Sequence, residues 1–210
     1  MPRTVGFLAD ELDARIAELL QLVADFEQNK ASYQGGPGAL SIKSLELSYE
    51  LAFLRIFASW EEFLEEGFAR LLCGYHRGAA GQEPLKPGET YSTTIPGAQA
   101  RVLAGKNFVT WYVPSDVVGR CRRFFDSSNF ETVIASATSI LNDQSLVRHQ
   151  IAHTQAHAKA QFDAMTMRLE GKRFPNSRPG KFLRLTRSDG RTWLEFLSSQ
   201  LRNLANQIAR

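Results

Sequence analysis

The stretch that decides the fold is "LAFLRIFASWEEFLEEGFARLL", residues 51–72. Its apolar residues recur every three or four positions, which is the period of an α-helix, and they cover more than one face. A helix that is apolar over so much of its circumference usually lies at the centre of a bundle. The sequence therefore predicts a long central helix from about residue 40 to about residue 74.

Helical patterns continue on both sides of this segment. Amphipathic helices are predicted for residues 4–29, 129–141, 145–171 and 190–209, and short helices within 98–125. A possible extended piece is predicted at 107–113, a short strand at 183–185 ("LRL"), and a long irregular loop at 75–97. The predicted class is all-α, an elaborated helical bundle forming a single domain over 1–210, with 172–210 as a C-terminal extension.

Composition narrows the class of protein. The chain has 210 residues, of which 43% are hydrophobic, and a net charge of +3. No apolar run reaches the ~18 residues of a membrane span, and the N-terminus lacks the pattern of a signal peptide. The two cysteines, Cys73 and Cys121, form neither a disulfide framework nor a CxxC metal motif. We expect a cytoplasmic protein with reduced cysteines and no membrane partner.

Charge is distributed unevenly along the chain. Residues 1–74 carry a net charge of −6, whereas residues 75–210 carry +9. The basic excess peaks late in the chain, which suits a polyanion such as RNA and equally suits a solvated surface with a flexible loop. The candidate RNA-binding residues are Arg168, Lys172, Arg173, Arg178 and Lys181.

A second stretch, "SLVRHQIAHTQAHAKAQF" at residues 145–162, carries three histidines spaced by four: His149, His153 and His157. A row of four alanines, also spaced by four, runs beside them. On a continuous helix the last three alanines share the side of the histidines, Arg148 and the first alanine lie on the flank, and an apolar stripe lies opposite. Alanine is the best helix former, but a smooth row also lets a second helix approach closely, from the same chain or a second copy. The alanines are Ala152, Ala156, Ala160 and Ala164; the stripe is Val147, Ile151, Ala158, Phe162, Met165 and Leu169.

The arginine before these histidines supplies a possible phosphate contact. With Asp143 or Ser145 as the N-cap, Arg148 lies in the first turn, where unpaired N–H groups and the helix dipole also attract anions. An imidazole at His153 can accept a proton from a ribose 2′-hydroxyl or donate one to a leaving 5′-oxygen. This chemistry requires no metal ion.

The hexapeptide "RHQIAH", residues 148–153, resembles the Arg-x(4–6)-His signature of the HEPN superfamily. The segment "ASWEEFLEE", residues 58–66, is similar to the Trp-plus-acid segment of the HEPN branch associated with RiboL-PSP proteins. The resemblance implies an all-α, metal-independent endoribonuclease, a hydrolase whose homodimer forms through the 145–169 helix. It implies that Arg148 and His153 are catalytic and that His149 is their polar companion.

The same resemblance suggests a role in prokaryotic defence or in a toxin–antitoxin pair, with an antitoxin or another regulatory protein as a partner. The chain departs from the minimal family pattern at the 75–97 insertion and in the extension after the motif helix. His157 has no role that the resemblance assigns.

Other readings compete with a nuclease. Two histidines and a carboxylate can bind zinc, but positions i and i+8 lie ~12 Å apart on a helix, too far for three histidines to share one ion. We predict no metal and no cofactor. Glu62 or Glu66 is predicted to support Arg148, although a solvated acidic face explains both. A non-catalytic module for RNA or nucleotide binding, or for dimerisation, is the alternative function.

The stretch "KNFVTWY", residues 106–112, joins a cation to aromatic residues, as proteins that bind single-stranded RNA do. The competing interpretation is that Trp111 and Tyr112 are core residues. The same interpretation is preferred for Trp60.

Overall fold

A computed structural model describes residues 4–32, 40–153, 155–171 and 178–210. This part of the chain is nearly all helical and contains isolated β-bridges but no β-strand, which confirms the predicted all-α class. The helices are α1 (Gly6–Ser32), α2 (Ile42–Leu72), α3 (Ile95–Leu103), α4 (Pro114–Phe124), α5 (Asn129–Ser136), α6 (Thr138–Ala152), α7 (Ala156–Glu170), α8 (Pro179–Arg184) and α9 (Trp193–Ala209).

The long central helix and the irregular loop after it are confirmed. Helix α2 has 31 residues, and many of its side chains are buried on more than one face. Between α2 and α3 the chain is irregular except for a short 3₁₀ turn at Gly78–Ala80. Helix α3 begins where the Thr94 side chain accepts a hydrogen bond from the Gly97 N–H, an N-cap that satisfies one unpaired donor of the first turn.

The prediction of one helix over 145–171 is wrong in two respects, because the helix starts earlier and the segment is divided into two helices. Helix α6 begins at Thr138 and runs through residues 141–145, where one predicted helix ends and the next begins, so neither Asp143 nor Ser145 is an N-cap. The chain bends earlier, at Ala137, whose φ of −96° and ψ of 7° end α5. The Asp143 carboxylate instead forms an ion pair with Arg168. A second helix, α7, begins at Ala156 after an interruption.

Two predicted extended segments are also wrong. Residues 183–185 are not a strand, because α8 starts with Pro179 at its first position and continues to Arg184. The only pairing nearby, within the described residues, is an isolated bridge between Thr186 and Thr192. Residues 107–113 are irregular and form no strand.

Contacts between residues divide the chain into two compact units, each assembled from separate segments. Unit 1 comprises Met1–Asp13, Ser59–Asn142 and Leu201–Arg210, and unit 2 comprises Ala14–Ala58 and Asp143–Gln200. The prediction of a single domain stays a prediction.

The core of unit 1 surrounds the buried ring of Phe68 on α2. Its neighbours are four aromatic rings, three of them edge-on, with centroids 5.4 to 6.1 Å from the Phe68 ring. Such edge-to-face geometry adds to the stabilisation from burial alone. The four neighbours are Trp111, Phe124, Phe125 and Phe130.

The core of unit 2 contains a row of aromatic rings. Phe182 on α8 lies edge-on to Phe162 on α7 and stacks on Trp193 of α9 at a centroid distance of 4.9 Å. Beside them, Glu27 of α1 accepts hydrogen bonds from Tyr49 and Arg184. This arrangement connects the short helix α8 to α1, α7 and α9.

A glycine permits the close approach of α8 to α2 in unit 2. A Cβ atom at Gly180 would lie only 2.2 Å from the backbone oxygen of Glu46, and the Gly180 N–H donates a 2.8 Å hydrogen bond to Glu50. By contrast, a Cβ at Gly119, within helix α4, meets nothing within 4 Å. The two helical glycines therefore have different structural roles.

We expect Gly180→Ala to lower the free energy of unfolding by about 1–3 kcal/mol, because the methyl group displaces α8 from the α2 backbone. The matched change Gly119→Ala should raise it by roughly 0.5–1 kcal/mol, since alanine loses less backbone entropy in a helix. Guanidinium denaturation followed by circular dichroism measures both. Equal effects of the two changes would contradict the close contact of α8 with α2.

Candidate functional site

The residues of the Arg/His motif lie at the end of a helix. Arg148 and His149 are half-buried in the second half of α6, and His153 is exposed just beyond its last residue, Ala152. The His153 N–H still donates a 2.9 Å hydrogen bond to the His149 carbonyl. The rings of His149 and His153 are tilted by 49° with their centroids 4.5 Å apart, so the structure brings these two imidazoles together.

Arg148 does not lie in the first turn of its helix, and this prediction is wrong. Because α6 begins at Thr138, its unpaired N–H groups are far along the chain from Arg148. The end near the motif is the carbonyl end, which carries partial negative charge and does not attract anions. In α6, therefore, a phosphate near Arg148 meets side chains and not unpaired backbone N–H groups.

The surroundings of His149 favour its neutral form. Burial lowers the pKa of His149 below its ordinary value of 6.5, and positive charge on His153, on Arg148 and on His157 lowers it further, in that order. At neutral pH this imidazole is therefore an acceptor for a proton. The ring of His153 lies beside it.

His157 lies on α7, exposed, and near enough for its charge to act on His149. The alanine row is exposed, so within the described residues no helix of the same chain covers it, and the non-helical residues 153 and 155 separate Ala152 on α6 from Ala156 on α7. The opposite stripe is largely confirmed, with four members buried and two half-buried. Those buried are Val147, Ala158, Phe162 and Met165, and those half-buried are Ile151 and Leu169.

In the acidic segment of α2, one glutamate pairs with an arginine of the same helix. Glu66 forms an ion pair with Arg70, one turn further along the same helix. Glu62 is exposed, and its support of Arg148 stays a prediction. Trp60 is buried, 1% exposed, which confirms its interpretation as a core residue.

Of the five candidate RNA-binding residues, two form ion pairs with carboxylates that are distant in the sequence. Arg168 pairs with Asp143, and Arg178 pairs with Glu46 at 2.8 Å. Lys181 is exposed. The remaining two predicted RNA-binding residues, Lys172 and Arg173, lie outside the described residues. The positive charge counted along the chain is thus partly neutralised in space.

Two other kinds of site receive no support from the described residues. Within them, no group of three or more His, Cys, Asp or Glu side chains is arranged to hold a metal ion. None of the helices in the described ranges combines the length with the apolar composition that crossing a membrane requires.

No disulfide joins Cys73 and Cys121, and Cys121 is unsuited to act as a nucleophile. Burial raises the pKa of the Cys121 thiol to about 12, and the negative charge of Glu131 raises it further. The reactive thiolate is therefore scarce at neutral pH.

An open cavity of about 720 Å³ lies within unit 1, between one face of α4 and residues 105–110. Residues 106–112 stand out in the sequence as a candidate RNA-binding stretch, and Trp111 within them is buried as a core residue. The cavity's other wall, which contains Arg120 and Arg123, was not predicted. The available signal was the spacing of Asp116, Gly119, Arg120 and Arg123, which places all four on one helical face.

The chain was also compared with known proteins. No protein-family model, no curated protein and no solved structure matches it.

We expect His149 to titrate below 6.5 in an NMR pH titration of the histidine rings. His153→Ala should raise the pKa of His149. His157→Ala should raise it less, because the charge of His157 lowers that pKa less than the charge of His153 does. Since the unfolded chain binds more protons between the two pKa values, His149 makes stability rise with pH through that window. A His149 pKa at or above 6.5 would contradict this description of the cluster.

Proposed function

We propose that this protein is a metal-independent endoribonuclease whose chemistry is performed by Arg148, His149 and His153. The observation that carries the proposal is the pair of imidazoles, 4.5 Å apart and next to an arginine in the sequence. One imidazole is kept neutral by its surroundings, and the other is exposed. Cleavage of RNA by its own 2′-hydroxyl needs both an acceptor and a donor of protons.

The reaction divides between the two rings. Neutral His149 accepts the proton of the 2′-hydroxyl while the 2′-oxygen forms a bond to phosphorus. The bond from phosphorus to the 5′-oxygen breaks, and protonated His153 donates its proton to that oxygen. The products are a 2′,3′-cyclic phosphate and a 5′-hydroxyl. The Arg148 guanidinium stabilises the charge that develops on the phosphoryl oxygens, and proton exchange with water restores both rings.

The proposal extends to a homodimer in the cytoplasm. The exposed alanine row on α6 and α7 offers a smooth surface that a second copy of the chain can cover. In such a dimer, Arg148 and His153 of both copies share one cleft, as the resemblance to HEPN proteins implies. The same resemblance supports a role in defence or in a toxin–antitoxin pair, under the control of an antitoxin or another regulatory protein.

We expect the purified protein to cleave single-stranded RNA in EDTA and to leave 2′,3′-cyclic phosphate ends. His153→Ala and Arg148→Ala should each lower the rate by about 10²–10⁴-fold, because each removes a group that acts in the transition state. The exposed His76, in unit 1, provides the control His76→Ala, which should leave the rate unchanged.

The products are resolved by gel electrophoresis with and without phosphatase treatment. Cleavage that requires a divalent metal would refute this mechanism. Binding of RNA without cleavage would instead support the non-catalytic module.

The dimer is tested separately by light scattering coupled to size-exclusion chromatography. We expect the wild-type protein to have twice the mass of the chain and Ala160→Glu to be monomeric, because a buried carboxylate without a partner is costly. The adjacent exposed residue gives the control Gln161→Glu, which should remain a dimer. A wild-type monomer at every concentration would exclude the shared cleft.

A further inference from the structure

We infer that the cavity of unit 1 binds single-stranded nucleic acid, with a base stacked on Phe108 and phosphates held by Lys106 and Arg123. The inference does not depend on RNA cleavage. All the residues that carry it belong to unit 1, whereas Arg148, His149 and His153 belong to unit 2.

The cavity has two walls. One wall is the face of α4 that presents Asp116, Gly119, Arg120 and Arg123. The other begins where Ala104 and Gly105, with φ of 48° and 82°, turn the chain after α3. At about 720 Å³ the space lies within the range of 300–1,000 Å³ that is usual for small-molecule sites.

Arg120 holds the two walls together and is a positioning residue. Its guanidinium lies 4.4 Å from the centre of the Trp111 ring and donates a hydrogen bond to the Thr110 carbonyl. The Thr110 hydroxyl in turn donates to Asp116 on α4. Thr110 is therefore attached to α4 through both its carbonyl and its hydroxyl.

The lining is positively charged overall. It contains three cations, Lys106, Arg120 and Arg123, against one carboxylate, Asp116. Lys106 and Arg123 are exposed, so both can reach phosphates in solution. At Gly119 a Cβ atom would meet nothing within 4 Å, so the surface of α4 is open at that position. These features favour an anionic ligand over a neutral one.

Phe108 determines which anion fits best. Its side chain is 75% exposed, more than any other large apolar side chain in the described part of the chain. A single exposed apolar residue is ordinary in itself. Phe108, however, lines a cavity whose walls also carry positively charged side chains. Aromatic platforms beside cations are how proteins bind single strands, because every base has a face that stacks. An acidic peptide or a duplex would leave the ring unused.

The test uses the full chain carrying His153→Ala, so that the probe is not cut whether or not the protein is a nuclease. A fluorescein-labelled oligouridylate of about ten nucleotides is titrated by fluorescence anisotropy at about 50 mM and about 200 mM salt. We expect Phe108→Ala to weaken binding about ten-fold and Phe108→Trp to preserve it. Lys106→Ala and Arg123→Ala should each lower the slope of log affinity against log salt by about one, because each change removes one phosphate contact and the counterion that it releases.

Matched controls come from the same helix. Arg122 neighbours Arg123 but pairs with Glu131 and does not line the cavity, so Arg122→Ala should not change the affinity. Gly119→Glu should weaken binding by placing a carboxylate in the cavity, whereas Gly119→Ala should preserve it. A DNA probe of equal length separates contacts to base and phosphate, which DNA shares, from contacts to the ribose hydroxyl, which it lacks.

Three results would overturn the inference. The first is no binding at about 100 µM protein in low salt, where non-specific contacts with phosphates already give measurable affinity. The second is equal affinity for the single strand, its duplex and poly-glutamate, together with no effect of Phe108→Ala. The third is equal loss of binding in Arg122→Ala and Arg123→Ala. If the probe binds as expected but the wild-type protein does not cleave RNA, only the proposed nuclease is contradicted.

Discussion

The carbonyl end of α6 is the constraint on which the candidate site depends. Helix α6 ends at Ala152, and its last backbone hydrogen bond joins the His153 N–H to the His149 carbonyl. This bond keeps the two residues one turn apart while the helix interruption leaves His153 exposed. The backbone field of α6 is negative at this end. What α6 offers an anion here is therefore the side chain of Arg148 and not its backbone N–H groups.

Proton exchange and anion binding make different demands on their surroundings. An imidazole that accepts protons must be neutral, and the charges of His153, Arg148 and His157 favour that state at His149. A surface that holds a polyanion must keep its cations available. In unit 2, Arg168, Arg178 and Arg184 are paired with carboxylates. The cationic cavity of unit 1 has only Asp116 among its lining residues to offset its positive charge.

Pairing across long sequence separations explains why a charge count along the chain was a poor guide to the surface. Arg184 contacts Glu27, 157 residues away, and Arg178 contacts Glu46, 132 residues away. Such partly buried pairs hold α8 in place within unit 2. The same helix depends on Gly180, whose contact with the α2 backbone leaves no room for a side chain. Part of the positive charge that suggested a nucleic-acid surface is therefore neutralised by ion pairs that stabilise the packing of unit 2.

The sequence alone determined the all-α class and the buried character of α2, because the three- and four-residue spacing of apolar side chains is a local property of the chain. It also identified Trp60 as core and His149 and His153 as a close pair. Tertiary structure alone decided where α6 begins and ends. The polar residues at 142–145 suit a turn locally, but they lie within the helix, where Asp143 accepts a hydrogen bond from Arg168, 25 residues away. The wall of α4 that faces residues 105–110 was likewise beyond the sequence, because only the folded backbone brings the two segments together.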